Sequence, residues 1–160
     1  MESALRSALA TRIEAYEEIL NRIKKTENRT SIAAIRILTW IFYAARPLRI
    51  EELSEALCFE VGSTSIDPTR NLSYVDVVEI CQSLVVHEEF SGVVRFVHTT
   101  VQEFLRERHK PQVVDLAETC ISYLQCGVFD ESCNKQSSFK CRVQKYNFCI
   151  YAAQFWGLHT

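Results

Sequence analysis

Two short runs of strand-type residues, Leu84–Phe90 and Val93–His98, flank a Ser91-Gly92 turn, and three helical segments precede them. No other feature of the 160-residue chain limits its fold as strongly. Alternating apolar residues on either side of a turn pair predict a hairpin. The first helix of the three, Ile32–Ala45, is capped by Thr30 or Ser31 and is apolar almost all round (Ile35, Leu38, Trp40, Ile41, Phe42), so it should be central. Arg46-Pro47 stops it. Ile50–Leu57 is a short second helix with acids in its first turn. The polar stretch Glu60–Ser73 reads as a long loop, and Tyr74–Ser83 as the third helix, with Val77, Val78, Ile80 and Cys81 on its apolar side. Helix, helix, helix, hairpin is the order of a winged helix-turn-helix domain.

Helices flank this unit. Leu5, Leu9, Ile13, Tyr16, Leu20 and Ile23 recur at three- and four-residue steps, which predicts an amphipathic helix over residues 2–25. Its stripe is either core packing or an exposed docking surface. After Val93–His98 a helix is expected over 100–109, a break at Pro111, and a further amphipathic helix over Val113–Leu124. Residues 125–140 are polar and read as irregular, and a last helix spans Tyr146–Trp156. Only four glycines and three prolines suit such a mainly α chain. The expected organisation is an N-terminal linker helix (1–30), a winged helix with a two-stranded wing (31–110) and the start of a helical domain (111–160).

Val93–Leu105 carries the most suggestive residue. Strand alternation puts Val94, Phe96 and His98 on one face, with Arg95 on the other. Thr100 and Glu103 have the spacing of a capping box for the helix that follows. A histidine at a strand-to-helix junction is either a sensor or a core residue bonded to neighbouring backbone. Sharing a face with Val94 and Phe96 favours the core.

Charge and cysteine usage exclude several classes. The net charge of −2 gives no whole-chain attraction to nucleic acid or anionic membrane. Across 31–98 there are five basic residues (Arg36, Arg46, Arg49, Arg70, Arg95) against nine acidic ones. The recognition-helix candidate carries Asp76 and Glu79 without Lys or Arg, and the wing tip carries Glu88 and Glu89. A DNA-binding winged helix needs the opposite. The seven cysteines lack C-x-x-C or zinc-ligand spacing and read as free thiols in a reducing compartment. No metal or cofactor is expected. A thiol enzyme would have to pair Cys58 or Cys81 with His87 or His98, and inert buried thiols are the stronger reading. Glu51-Glu52 and Glu88-Glu89 read as solvated faces. The most apolar segment, Ile32–Ala45, is too short to span a bilayer, which points to a soluble, cytoplasmic protein. The aromatic load of the last helix, notably Tyr151, Phe155 and Trp156, needs cover and is an expected interaction surface.

In order, Arg12–Ile23, Ile35–Leu53, Ile66–Val86, Val94–Leu105 (VRFVHTTVQEFL) and Tyr151–His159 (YAAQFWGLH) resemble the region after the NTPase core in fungal NACHT proteins. These are STAND-class NTPases that often end in ankyrin repeats, and their winged helix is sometimes labelled after GPI inositol-deacylase. The resemblance covers nearly the whole chain. It implies a non-catalytic, regulatory module that packs on a nucleotide-binding core and helps hold it closed. It also implies that His98 stands where related proteins place a nucleotide-sensing histidine, although Val-His-Thr replaces their Met-His-Asp. The chain has no G-x-x-x-x-G-K-[ST] loop, so the partner implied is an NTPase core or another protein domain outside it. The chain is then a fragment of such a protein or a small stand-alone product. A stand-alone adaptor or self-associating helical module is the alternative, and a DNA-binding winged helix comes third.

Overall fold

The computed structural model describes residues 2–66, 72–109, 116–130 and 136–159, with side chains from Thr11 onward. Helix α1 (Glu2–Lys25) leads into α2 (Asn28–Tyr43). A two-residue strand β1 (Leu48–Arg49) precedes α3 (Ile50–Cys58) and α4 (Tyr74–Ile80). Strands β2 (Val85–Glu88) and β3 (Val93–Phe96) form the hairpin, and α5 (Thr99–Arg108) leaves it. Then come α6 (Leu116–Leu124), α7 (Gln136–Lys145) and α8 (Cys149–Phe155), with single 3₁₀ turns at Gly127–Phe129 and Trp156–Leu158. The fold is mainly α, with one small antiparallel sheet of order β1-β3-β2. Helix, strand, helix, helix and two wing strands make a winged helix.

β1 was not legible as a strand. Leu48 pairs with Val94 and Arg49 with Val93, so the wing is the outer part of a three-stranded sheet. The wing loop is also longer than a two-residue turn. Glu88 pairs with Val93, and Gly92, at φ +71°, donates to the Glu88 carbonyl at 2.8 Å. The Gly92 carbonyl then accepts from Ile50 N–H at 2.9 Å, which ties the wing base to the start of α3.

Several boundaries shift, and local chemistry sets both ends of α4. Helix α2 begins at Asn28 after an extended Glu27, ahead of the expected Thr30 or Ser31 cap. Helix α4 starts from a reciprocal Ser73/Asp76 box: Asp76 N–H donates to Ser73 Oγ at 3.2 Å, and Ser73 N–H to Asp76 Oδ2 at 2.8 Å. It stops at Ile80 rather than Ser83, because Gln82 and Ser83 take left-handed conformations (φ 47° and 64°) and Ser83 N–H returns to the Val78 carbonyl at 3.0 Å. The end of the stretch read as irregular, 136–140, forms with 141–145 the helix α7, which buries none of its residues and so lacks an apolar stripe. The break expected at Pro111 and the first turn of the helix from Val113 lie outside the described residues, as do the side chains of Leu5 and Leu9.

The core is continuous across these elements. Ile37, Leu38 and Trp40 of α2 pack with Leu53 and Ala56 of α3, Val77 of α4, and Val94 and Phe96 of β3. The stripe of α1 is core packing: Leu20 and Ile23 are buried, and Ile13, Tyr16 and Ile19 lie against the same cluster. Tyr16 meets Phe104 of α5 with ring centroids 5.5 Å apart, and His109 at the end of α5 reaches Glu17 at 2.7 Å. Arg36, the one charge in the apolar stretch of α2 after its first turn, closes the end of α3 by donating to the carbonyls of Leu57 (2.9 Å) and Phe59 (3.3 Å).

The C-terminal helices pack on α2 and α3. Trp40, Phe59, Tyr123, Phe148 and Tyr151 form one aromatic cluster, with Trp40 edge-on to Phe148 at 5.3 Å and Tyr123 edge-on to Phe148 at 5.2 Å. Two buried carboxylates lock this region. Glu52, expected on a solvated face, accepts from Arg46 (2.6 and 2.8 Å) and from Arg49 N–H (2.9 Å). Glu55 accepts from the Tyr123 hydroxyl at 2.8 Å and from Phe148 N–H at 2.9 Å, joining α3 to α6 and α8. Buried acids persist only where such donors meet them.

Candidate functional site

The junction between β3 and α5 holds the residue singled out from sequence. The strand ends at Phe96 rather than His98. Val97 N–H still bonds the Leu84 carbonyl at 3.0 Å, but the alternation stops there, and Val97, His98 and Thr99 all face solvent. His98 is therefore not a core residue. It is the N-cap of α5: Thr100 N–H donates to its Nδ1 at 3.1 Å. The expected Thr100/Glu103 box is not the cap, because Thr100 is already inside the helix.

A chain of polar contacts supports the ring. Thr100 Oγ1 lies 2.9 Å from His98 Nδ1 and 2.9 Å from the hydroxyl of Tyr16 on α1. Proton bookkeeping gives one consistent direction. Tyr16 donates to Thr100, Thr100 donates to Nδ1, and Nδ1 also accepts the backbone N–H. Nδ1 then carries no proton, so the neutral ring holds its proton on Nε2, the nitrogen not engaged by the cap. A neutral N–H donor at a helix N-terminus can contact an anionic oxygen without adding a formal charge.

The second element is the front of the winged helix, where a DNA reader would place basic side chains. Tyr74, Val75, Asp76 and Glu79 of α4 are exposed, while Val77 faces the core. Tyr74 stacks on His87 of β2, with centroids 4.9 Å apart, and this joins helix and wing in one surface. Glu89 and a fully exposed Phe90 form the wing tip, and Glu88 reaches Arg95 only at 3.9 Å. The front is apolar and acidic. An exposed aromatic at its tip gave no signal in the sequence, because periodicity does not report which loop residues are covered.

The structure separates the remaining candidates. Tyr151 is fully buried, which removes it from any surface. Its hydroxyl accepts from Ala45 N–H at 3.0 Å and lies 2.9 Å from His159 Nε2, while Arg46 covers its ring at 5.3 Å. Burial pushes its phenol up to about 12. Phe155 is half-buried against Tyr151, and Trp156 and Leu158 stay exposed. The chain itself thus supplies most of the cover that the aromatic helix needed. Among the thiols, burial pushes Cys81 up to about 12, so it stays protonated at ordinary pH and is no nucleophile. His98 is engaged as a cap and His87 is stacked on Tyr74, so neither ring is held as a base for Cys81. Among the described residues no cluster of side chains could hold a metal ion, and no helix is long and apolar enough to cross a membrane.

Comparison with known proteins agrees with this geometry. The chain is 27% identical to azaphilone pigments biosynthesis cluster protein L of Monascus ruber over 172 aligned positions, covering 91% of this chain and 34% of that protein. It spans about a third of that relative's length. No solved structure matches it. Residues 20–117, from the end of α1 past α5, match the GPI inositol-deacylase winged helix domain, and the chain belongs to that family.

Proposed function

We propose that this chain is a non-catalytic regulatory module that packs against the nucleotide-binding core of a STAND/NACHT-type protein, with His98 as the contact that registers nucleotide state. The observation that carries the reading is the position of His98. It is exposed at the start of α5, its Nδ1 is committed to the cap, and Nε2–H is left as a donor. Exposed Val97 beside it adds an apolar contact. The resemblance to the region after a NACHT core supports this reading, since related proteins carry a nucleotide-sensing histidine at the corresponding point. The acidic front weighs against DNA as the partner, since among the described residues α4 offers phosphate no basic side chain and the wing sets only Arg95 against Glu88 and Glu89.

The test is titration of the chain into an ADP-loaded NACHT-type core, with His98→Ala alongside. The reading expects measurable binding that weakens about tenfold in the variant and loses its preference for ADP. Equal affinity of both proteins, or binding blind to nucleotide, would remove His98 from the role. A second reading, a stand-alone adaptor, draws on the exposed Trp156 and Leu158 beside half-buried Phe155. It predicts that Trp156→Ser abolishes partner capture while His98→Ala leaves it intact.

A further inference from the structure

The front of the winged helix and helix α7 carry opposite charge on exposed apolar ground. On the front, Tyr74 is 51% exposed and Val75 45%, Phe90 is fully exposed, and Glu79 and Glu89 border them. Helix α7 reads QSSFKCRVQK: it contains no acid, buries no residue, and presents Phe139, 53% exposed, beside Lys140. Its other cations are held in place, with Arg142 over the Phe129 ring at 5.9 Å and Lys145 over the Tyr146 ring at 5.2 Å. Each face has one protruding phenylalanine; among the described residues the exposed charges of the front are mainly acidic, with Arg95 beside Glu88, and those of α7 are basic. Each therefore lacks what the other offers.

We infer that the occupant of the front is a second copy of this chain, docked through α7. Two observations favour a copy over an unrelated protein. The complementary surface is already present on the same polypeptide, and a net charge of −2 leaves little overall repulsion between copies. The two faces differ, so the contact is heterologous, and each docked copy leaves one front and one α7 open. The assembly grows head to tail. This goes beyond the regulatory reading above, because neither face includes the Val97–Thr99 corner, and each proposal can fail alone.

Sedimentation velocity on the full chain over a wide concentration range tests this, at about 50 mM and about 500 mM salt. The expected result is a weight-average mass that climbs past the dimer at low salt and returns to the monomer at high salt. Glu79→Lys with Glu89→Lys blocks the front, and Lys140→Ser with Lys145→Ser blocks α7 without making it complementary to the reversed front. Each double variant alone should be monomeric. Mixed in equal amounts they should form a dimer and stop, because one intact front meets one intact α7. Circular dichroism checks the fold. If a charge variant loses it, Phe90→Ser and Phe139→Ser replace the pair, since both rings are exposed, and the same mixing pattern is expected. A wild-type chain that stays monomeric at low salt would overturn the inference. So would association that survives either blocked face.

Discussion

The two broad sides of this winged helix are built from different chemistry. Behind α2 and α3, the side chains of Trp40, Phe59, Tyr123, Phe148 and Tyr151 close a buried aromatic cluster, and Glu55 ties it to the domain through a hydroxyl and a backbone N–H. In front, α4 and the wing expose Tyr74, Val75 and Phe90 among carboxylates. The back spends its aromatics on stability, while the front leaves them open. A module with its back anchored can present its front and its β3–α5 corner without those surfaces being needed to hold the fold.

Mutations that strike the back should break this contrast most visibly. Phe148→Ala removes a ring that touches Trp40, Tyr123 and Tyr151, and should cost about 3–5 kcal/mol by denaturant unfolding. A loss below about 1 kcal/mol would mean the C-terminal helices are not part of the same cooperative unit. Glu55→Ala should cost about 2–4 kcal/mol, because it strands the Tyr123 hydroxyl and Phe148 N–H in the interior. Glu55→Gln keeps one acceptor and should recover part of that loss.

Acid sharpens the contrast further. Burial lowers the pKa of His159 below its ordinary 6.5, and the ring accepts the Tyr151 proton only while neutral. The unfolded chain binds that proton more readily, so stability falls as pH drops below about 6.5. His159→Asn should flatten this part of the stability profile, and an unchanged slope would contradict the assignment. The smallest effects belong to the front. Tyr74→Ser, Val75→Ser and Phe90→Ser should each shift stability by no more than about 0.5 kcal/mol in the monomer. A large loss at Phe90 would show that the wing tip is buried after all.

How much of this was legible depended on whether the signal was local. The hairpin, α1, α3 and the central place of α2 follow from periodicity and turn residues, which neighbouring side chains decide. Strand β1 did not, because a two-residue strand exists only through its pairing with Val93 and Val94, some forty-five residues away. His98 was assigned to the wrong face because alternation predicts direction only while the strand lasts, and the strand ends at Phe96. Its choice as the site residue came from resemblance. Its cap bond, its tautomer and the link to Tyr16 required the packing of α1 on α5. Tyr151 looked like a surface residue for a related reason. An aromatic helix announces that it needs cover, and sequence does not say that Trp40 and Arg46 provide it. Glu52 read as an ordinary surface acid because its side-chain donor, Arg46, lies outside its helix, and Glu55 gave no signal because its donors, Tyr123 and Phe148, are far along the chain.

Hydrogen exchange on the chain, alone and with either an ADP-loaded NACHT-type core or duplex DNA, tests the central claim most directly. A protein-docking module presenting its β3–α5 corner predicts slowed exchange at Val97–Thr100 with the core and no change anywhere with DNA. Protection of α4 and β2 by DNA, with the corner unchanged by the core, would contradict it.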